Sequence, residues 1–208
     1  MLRMIPTASQ NPARESAVSA PPDASPALRA FAALLLRWNA SVNLIGRSDR
    51  HTLWTRHIAD SLQLGMIGKL PARAIDLGSG AGFPGLVLAI QYGMHVDLIE
   101  QDQRKAAFLR EAARVTGAPV TVHATDIARV TITPAPLVTA RALAPVATLL
   151  EYAAPLLAPG GACLFLKSRS VDAELVEAER HWRMHAEKLP SATNPDGVIL
   201  RISGIARI

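Results

Sequence analysis

The feature that most constrains the fold is a glycine-rich turn between an apolar segment and a helical one. The segment Ala74–Leu77 is apolar except for Asp76, and four glycines follow between Gly78 and Gly85. Glycine lets the backbone adopt positive φ and approach a bound molecule without a Cβ clash. A strand, a glycine turn and a helix in this order are typical of doubly wound α/β folds, which bind ligands beyond the carboxyl ends of their strands.

Short apolar runs alternate with helical periodicity through the rest of the chain, which is the pattern of repeated βαβ units. Strands are predicted at Arg73–Leu77, His95–Glu100, Val120–Thr125, Leu137–Ala140 and Ala162–Lys167. Helices are predicted at roughly Pro84–Tyr92, Gln103–Thr116, Pro145–Leu157 and Asp172–His185. The segment Ala186–Ile208 contains the turn signal Asn194–Gly197 and is expected to add an antiparallel hairpin. The predicted fold class is therefore α/β, with a doubly wound, mostly parallel sheet of seven strands.

The N-terminal part of the chain has a different character. Residues 1–24 are rich in Ala, Pro and Ser without periodicity, so we expect a disordered tail. Ser25 is a suitable N-cap for a helix with apolar residues at helical spacing, and a second helix is expected to begin at Ser48. The predicted organisation is a tail over 1–24, a helical appendage over 25–70 and a catalytic α/β domain over 71–208.

Composition limits the chemistry that the chain supports. Half of the 208 residues are hydrophobic, which is sufficient for one domain with a large core. Cys163 is the single cysteine, and the sequence has no Cys-x-x-Cys or His-Glu-x-x-His motif, so neither a disulfide nor a metal site is predicted. There is no run of about 18 apolar residues and no secretory signal. We therefore expect a cytoplasmic protein without a membrane partner, and nothing in the sequence requires more than a monomer.

Positive charge is concentrated in the N-terminal third. The formal net charge is +5, and Lys plus Arg compare with Asp plus Glu as 8 to 4 in residues 1–70, 7 to 7 in 71–166 and 7 to 6 in 167–208. A basic surface beside a neutral core suits an enzyme that binds a polyanion such as RNA, because phosphate contacts dominate nucleic-acid affinity. Arg47 and Arg56 are candidates for such contacts, although the same charge also suits an ordinary solvated face.

Two cofactors compete for the glycine loop. Three of its glycines satisfy Gly-x-Gly-x-x-Gly, and Glu100 ends the second strand about 20 residues later, as in a dinucleotide site. Asp76 favours the other cofactor, because a carboxylate near the helix N-terminus repels a pyrophosphate and attracts the sulfonium and ammonium groups of S-adenosylmethionine. Glu100 is then the predicted acceptor for the ribose hydroxyls, and Asp126 is placed near the adenine amino group.

Several motifs, taken together with the loop, resemble one known family. They are Asn43-Leu44-Ile45, His57-Ile58-Ala59-Asp60-Ser61-Leu62, Asp76 to Gly85, Arg104-Lys105 with Phe108-Leu109-Arg110, Thr139-Ala140-Arg141-Ala142 and Leu166-Lys167. From about Phe31 onward the chain is similar to the glucose-inhibited division protein B family. The resemblance implies a class I (Rossmann-like) methyltransferase. It also implies methyl transfer from S-adenosylmethionine to N7 of a guanosine in 16S ribosomal RNA, in the decoding-region loop of the small subunit.

The resemblance also assigns roles to residues, with Arg141 at the edge between cofactor and substrate as the predicted catalytic residue. When the three carboxylates discussed above are included, the predicted cofactor-binding residues are Asp76, Gly78, Gly80, Phe83, Glu100, Thr125, Asp126 and Arg141. The predicted RNA-contacting residues are Arg47, Arg56, Lys105, Lys167 and Arg201. Two positions depart from the family pattern, Thr139 for the usual Ser and Ser168 for the usual Gly. They leave the cofactor assignment intact and loosen the RNA assignment.

The implied reaction needs alignment more than a general base, because guanine N7 carries a lone pair and loses no proton on methylation. The sequence lacks the Asn/Asp-Pro-Pro-aromatic segment of exocyclic amine methylation and the Pro-Cys nucleophile of cytosine C5 methylation. Phe83 and Arg141 are candidates for stacking on the base. His57 and Asp60 are three residues apart on a helix, where a pair would clamp the appendage to the core. Catalysis by His57 is the alternative.

The residues alone leave three other functions open. A nicotinamide-dependent oxidoreductase would use the same loop, but Asp76 and the lack of an evident second domain count against it. An RNA-binding assembly factor would keep the cofactor pocket and bind RNA without turnover. A methyltransferase acting on a small molecule or a protein would make the basic appendage incidental.

Overall fold

The computed structural model describes residues 20–208, so residues 1–19 of the predicted tail lie outside the described residues. The end of that predicted tail is bound to the first helix. The Arg29 guanidinium donates hydrogen bonds to the carbonyl oxygens of Pro21 and Pro22 at 2.6 and 2.8 Å. The structure therefore differs from the predicted disorder at these residues, because a side chain further along the sequence supplies donors for their carbonyl groups.

Seven strands form one sheet. They are β1 (Arg73–Leu77), β2 (His95–Ile99), β3 (Val120–His123), β4 (Ala135–Arg141), β5 (Leu157–Ser168), β6 (Trp182–Pro190) and β7 (Gly197–Arg207). The strand order is β3-β2-β1-β4-β5-β7-β6. The first five strands pair in parallel, and β7 runs antiparallel to both β5 and β6. This arrangement confirms the predicted doubly wound, mostly parallel sheet and its C-terminal hairpin.

Helices cover both faces of the sheet. The α-helices are α1 (Pro26–Val42), α2 (Ala59–Leu62), α3 (Gly85–Tyr92), α4 (Gln103–Thr116), α5 (Val146–Ala153) and α6 (Val171–Ala178). One core lies on the face of α1, α3 and α4 and includes Phe31, Val96 and Phe108. The other lies on the face of α5 and α6 and includes Ile75 and Phe165. Neighbouring residues of a strand belong to different cores because successive side chains point to opposite faces.

Helix α1 is part of the main body and not a loosely attached unit. Ser25 caps it as predicted, since the Ser25 Oγ atom accepts a hydrogen bond from the Leu28 backbone N–H at 3.2 Å. Phe31 and Leu35 are fully buried in the same core as Phe108 of α4. The predicted boundary of the appendage at residue 70 therefore does not separate two cores.

The second helical region begins at Ser48 as predicted, but it consists of several short helical segments in succession. A 3₁₀ turn, Ser48–Thr52, leads into a π-helical segment, Leu53–Ile58, followed by α2 and a further 3₁₀ turn, Gln63–Met66. π-Helical segments are uncommon and often lie at functional sites. Here the segment contains the buried His57.

Two predicted helices are too long. The predicted helix Asp172–His185 is wrong at its end, because α6 stops at Ala178 and Trp182–His185 belong to β6, which pairs with β7. The predicted helix Pro145–Leu157 gives way to a 3₁₀ turn after Ala153, and β5 already begins at Leu157. Pro155 accounts for that break, since proline lacks the N–H that a continuing helix needs.

Candidate active site

The glycine loop after β1 approaches its neighbours more closely than a side chain would permit. Gly78 has a φ of +61°, and a Cβ atom there would lie 2.7 Å from the Cδ1 atom of Leu143 in the loop after β4. Gly85 begins α3, and a Cβ atom there would lie 2.5 to 2.7 Å from side-chain atoms of Asp76. Gly85 is therefore required by its close contact with Asp76, whereas Gly78 is favoured by its positive φ.

Glu100, which directly follows β2, fixes the shape of the loop. Its Oε2 atom accepts a hydrogen bond from the Gly80 backbone N–H at 2.9 Å, and its Oε1 atom accepts one from the Asp102 N–H at 2.8 Å. Each carboxylate oxygen has a second lone pair, so Glu100 retains the capacity to accept from a ligand hydroxyl. This position is compatible with its predicted role toward ribose.

Asp76 lies behind the loop instead of in contact with the cavity. Its side chain is fully buried, and its Oδ1 atom accepts a hydrogen bond from the Thr139 hydroxyl at 2.7 Å. Burial raises the pKa of Asp76 to about 6, and the bond from Thr139 opposes this shift. Asp76 does not line the cavity, because it packs against Gly85 and supports the loop from inside the protein, so its contact with a cofactor stays a prediction.

A cavity of about 910 Å³ opens at the carboxyl ends of the parallel strands. The predicted cofactor-binding residues that line it are Gly78, Gly80, Phe83, Glu100, Thr125, Asp126 and Arg141. Asp126 also caps the short turn after β3, since its Oδ1 atom accepts from the Ala128 N–H at 2.9 Å. The volume is at the upper end of the range typical of small-molecule sites, so there is room for a cofactor and part of a second ligand.

Three side chains from separate elements stack on one wall of this cavity. The Phe83 ring lies 5.2 Å from the His57 ring, centroid to centroid, and the two planes are 21° apart. The Arg141 guanidinium carbon lies 4.7 Å from the Phe83 centroid. Phe83 is only 4 % exposed. Its ring is thus largely covered by protein, and Arg141 is the more exposed of the two predicted stacking residues.

His57 clamps the appendage to the loop through Phe83 and not through the predicted pair with Asp60. Burial, together with the positive charge of Arg141, lowers the pKa of His57 to about 4. The His57 Nε2 atom lies 3.7 Å from Asp49 Oδ2, beyond hydrogen-bond distance. Within residues 20–208, neither ring nitrogen has a hydrogen-bond partner. His57 is therefore a neutral, unpaired polar group in the cavity wall.

Asp60 joins three parts of the molecule. Its Oδ1 atom accepts hydrogen bonds from Gln63 Nε2 at 2.6 Å and from the Thr193 hydroxyl, in the turn before β7, at 2.8 Å. Its Oδ2 atom lies 3.9 Å from Arg141 Nη1. Burial lowers the pKa of Arg141, and the charge of Asp60 opposes this shift. The network positions Arg141 at the end of β4 toward the cavity.

The predicted RNA-contacting residues divide into two groups. Arg56, Lys105 and Lys167 line the same cavity, whereas Arg47 and Arg201 do not. Arg201 lines a smaller cavity of about 270 Å³ near the amino ends of β4 and β5. Lys167 is already engaged, because its Nζ atom lies 2.6 Å from Glu174 Oε2 and donates a hydrogen bond to the Ala144 carbonyl at 3.0 Å. The cavity thus gathers three of the five predicted residues.

Sequence reasoning missed several residues that line the cavity. They are Asp49, Leu143, Ser191 and Asn194 among others. Asn194 was recognised as a turn signal only, and the sequence offers no sign that this turn folds back over the strand ends. Asp49 lies eight residues before His57, in a segment whose basic residues suit either RNA contact or an ordinary solvated face.

Other chemistry finds no support in the described residues. Burial raises the pKa of the Cys163 thiol to about 12, which agrees with a packing role for the strand cysteine. Across residues 20–208, no group of three or more His, Cys, Asp or Glu side chains is placed to hold a metal ion. In the same range, no helix has both the length and the apolar character needed to cross a membrane.

Residues 24–197 match the GidB family, described as rRNA small subunit methyltransferase G. The chain belongs to this family. A protein from Granulibacter bethesdensis, called ribosomal RNA small subunit methyltransferase G, is 51 % identical over 182 residues, which is 87 % of this chain and 85 % of that protein. One of the same name from Rhodospirillum centenum is 53 % identical over 180 residues, covering 86 % of this chain and 83 % of that protein. The predicted family is thereby confirmed.

The fold also matches solved structures. The ribosomal protein L11 methylase of Lactobacillus delbrueckii subsp. bulgaricus superposes with a TM-score of 0.54 at 17 % identity, covering 70 % of this chain and 76 % of that one. At this identity the likeness concerns the fold alone. Together with the sheet order, it confirms the class I methyltransferase fold that the motifs predicted.

Proposed function

We propose that this chain transfers a methyl group from S-adenosylmethionine to N7 of a guanosine in 16S ribosomal RNA. The main support for the proposal is a single cavity whose lining contains both carboxylates and basic side chains. The glycine loop and the Glu100 and Asp126 carboxylates form one side, while Arg56, Lys105 and Arg141 line the same space. Carboxylates suit a cofactor with hydroxyl, amino and cationic groups, and the basic side chains suit RNA phosphates.

The Glu100 hydrogen bonds favour S-adenosylmethionine over a nicotinamide dinucleotide. A pyrophosphate binds to free backbone N–H groups of the glycine turn at the helix N-terminus. The Gly80 N–H already donates to the Glu100 carboxylate, whose negative charge would repel a phosphate. This argument replaces the one from Asp76, whose carboxylate is buried behind the loop.

The residues in the site support alignment and not proton transfer. When bound, S-adenosylmethionine supplies an electrophilic methyl group on a positively charged sulfur. Methylation at N7 would use the lone pair of that nitrogen and release no proton, so the residues of the site need only hold and align the two reactants. His57, with its pKa lowered to about 4, is neutral near pH 7 and stacked on Phe83, which fits a positioning role.

Arg141 is the proposed residue at the boundary between cofactor and base. Phe83 supports its guanidinium and Asp60 faces it at 3.9 Å, so the group is held with little freedom. A planar guanidinium is a suitable surface for a splayed RNA base to stack on. The small ribosomal subunit or its RNA is the proposed partner, and the cytoplasm and a monomeric state remain predictions.

The function is tested by transfer of a labelled methyl group to small ribosomal subunits from cells that lack this protein, followed by nucleoside analysis. We expect the label in 7-methylguanosine. Label in another nucleoside would overturn the N7 assignment. Cofactor binding without any labelled RNA would instead favour a different acceptor or an assembly factor without turnover. Parallel reactions with naked 16S RNA identify which form of the RNA is the substrate.

A further inference from the structure

We infer that the carboxylate of Asp60 binds the Watson–Crick edge of the guanine that is methylated, and so selects guanine over adenine. The inference rests on the proposed function, and it assigns a residue to base selection. It starts from four residues that line the cavity, Asp49, His57, Asp60 and Arg141.

The two oxygens of Asp60 have different surroundings. Oδ1 is committed to Gln63 and Thr193, which fix the orientation of the carboxylate. The hydrogen bonds to the Asp60 side chain within residues 20–208 are both made to Oδ1, and Oδ2 has an ion-pair partner, Arg141 Nη1, at 3.9 Å. Asp60 lines the cavity with 18 % of its side chain exposed. One rigidly held acceptor atom is therefore available to a ligand.

His57 is an independent sign that this wall faces a ligand. It is 7 % exposed, lines the same cavity, and has no hydrogen-bond partner on either ring nitrogen among the described residues. Buried polar groups are nearly always paired, so such a group points to a partner that binds from the cavity.

Guanine has the complementary chemistry. Its N1–H and exocyclic N2–H₂ groups are neighbouring donors on the edge opposite to N7, so an acceptor that binds them leaves N7 free. Adenine has a lone pair at N1, which a carboxylate oxygen repels. A site built to accept a hydrogen bond discriminates strongly against an analogue that lacks the donor. Enzymes that act on splayed bases commonly read this edge.

The charge that develops on the purine during methylation also favours the contact with Asp60. Methylation at N7 leaves a positive charge on the purine, which strengthens the acidity of N1–H and N2–H₂. A fixed negative charge on Asp60 interacts more favourably with that product-like state than with neutral guanine. The same contact thus favours both recognition and the progress of the transfer.

The test uses Asp60→Asn and one altered nucleotide. The asparagine oxygen retains the bonds from Gln63 and Thr193, and its amide N–H₂ replaces Oδ2, so only the available acceptor is lost. The substrates are small subunits reconstituted with 16S RNA that carries either guanosine or inosine at the methylated position. Inosine keeps N7, O6 and N1–H and lacks only the 2-amino group.

We expect the wild-type protein to prefer guanosine over inosine by roughly ten- to one-hundredfold in kcat/KM, as for one hydrogen bond to a charged group. In Asp60→Asn that ratio falls toward one. A purely structural defect would lower both rates equally and leave the ratio unchanged. Asp49→Asn, which alters the other carboxylate of the wall, is the matched control and should keep the wild-type ratio.

An unchanged ratio in Asp60→Asn, or a wild-type protein without preference for guanosine, would overturn the inference while the methylation itself stands. Loss of the preference for guanosine in Asp49→Asn alone would also overturn the inference, and it would assign base selection to Asp49. Absence of any labelled RNA with the wild-type protein is a different result, because it would overturn the proposed function and this inference together.

Discussion

The ring of His57 stacks on the ring of Phe83 with 5.2 Å between their centroids, and this contact joins the appendage to the glycine loop. Arg141 of β4 lies against the same Phe83 ring. The segment before the sheet, the cofactor loop and the end of the fourth strand therefore share one set of contacts. We expect substitutions on this wall to affect methyl transfer more than their cost in folding free energy would suggest.

Arg141→Ala is expected to lower the methyl-transfer rate at least tenfold while costing only about 1–2 kcal/mol of unfolding free energy. The stability cost is small because the change removes one contact with Phe83 and one 3.9 Å ion pair with Asp60, whose Oδ1 keeps its hydrogen bonds from Gln63 and Thr193. Single-turnover methylation and urea unfolding measure the two quantities. Arg207→Ala is the control, since Arg207 lies 5.4 Å from the Trp182 ring and outside the cavity. Equal transfer rates in both variants would contradict the assignment of Arg141.

Gly78→Ala is expected to weaken S-adenosylmethionine binding at least tenfold. Alanine at a φ of +61° costs about 1 kcal/mol, and its Cβ atom, 2.7 Å from Leu143 Cδ1, would displace that cavity-lining side chain. Gly93→Ala is a matched control, because Gly93 has a φ of +67° with no heavy atom within 4 Å of the added Cβ. Calorimetric titration should therefore show a loss in the first variant only, while both lose similar stability from the backbone. A normal affinity in Gly78→Ala would place the cofactor elsewhere.

Much of the fold was predictable because local patterns coincide with it. The glycine loop, the buried strand His95–Ile99 and the capped helix Gln103–Thr116 all carry their signals within about 15 residues. The misassigned segment Trp182–His185 does not. It is a strand because β7 supplies its hydrogen-bond partners from some 20 residues further along, and pairing of this kind leaves no trace in local periodicity.

The candidate site likewise contains residues whose positions follow from local sequence patterns and residues whose positions depend on distant contacts. Gly78, Glu100 and Asp126 follow strand ends, so their place at one edge of the sheet follows from the fold class. The contact of Thr193 with Asp60 joins residues 133 positions apart, and no spacing rule predicts it. The burial of the Asp76 carboxylate was not predictable either, since its partner Thr139 lies 63 residues further along the chain.

In Asp76→Asn, the free energy of unfolding is expected to increase as pH rises from about 4 to 6.5. The folded pKa of Asp76 is about 6 against an ordinary value of 3.8, so its contribution to the free energy of unfolding falls as pH rises through this interval. His57 acts oppositely, because its pKa is lowered from 6.5 to about 4 and its contribution is lost as pH falls. Each shift corresponds to roughly 3 kcal/mol, so the two largely cancel in the wild-type protein.

Urea unfolding at a series of pH values measures this effect. With Asp76 replaced, the His57 contribution remains, and the free energy of unfolding should rise by on the order of 3 kcal/mol over the interval relative to the wild-type curve. His57→Gln is the opposite control. Its free energy of unfolding should fall over the same pH interval relative to the wild-type curve. Parallel curves for wild type and Asp76→Asn would mean that Asp76 is ionised in the folded protein at pH 4.

The final prediction separates the predicted RNA-contacting residues by position. Arg56 and Lys105 line the large cavity, so replacing either by Ala should weaken RNA binding and reduce the slope of log K against log salt by about 1. Arg201 lies beside the smaller cavity, and its Nη1 atom is 3.8 Å from Glu187 Oε2, so Arg201→Ala should leave the slope unchanged. Filter binding of the RNA substrate at several salt concentrations measures the slopes. A reduced slope for Arg201→Ala alone would move the RNA path to the other edge of the sheet, away from the cofactor loop, and would be incompatible with an acceptor base entering beside Arg141.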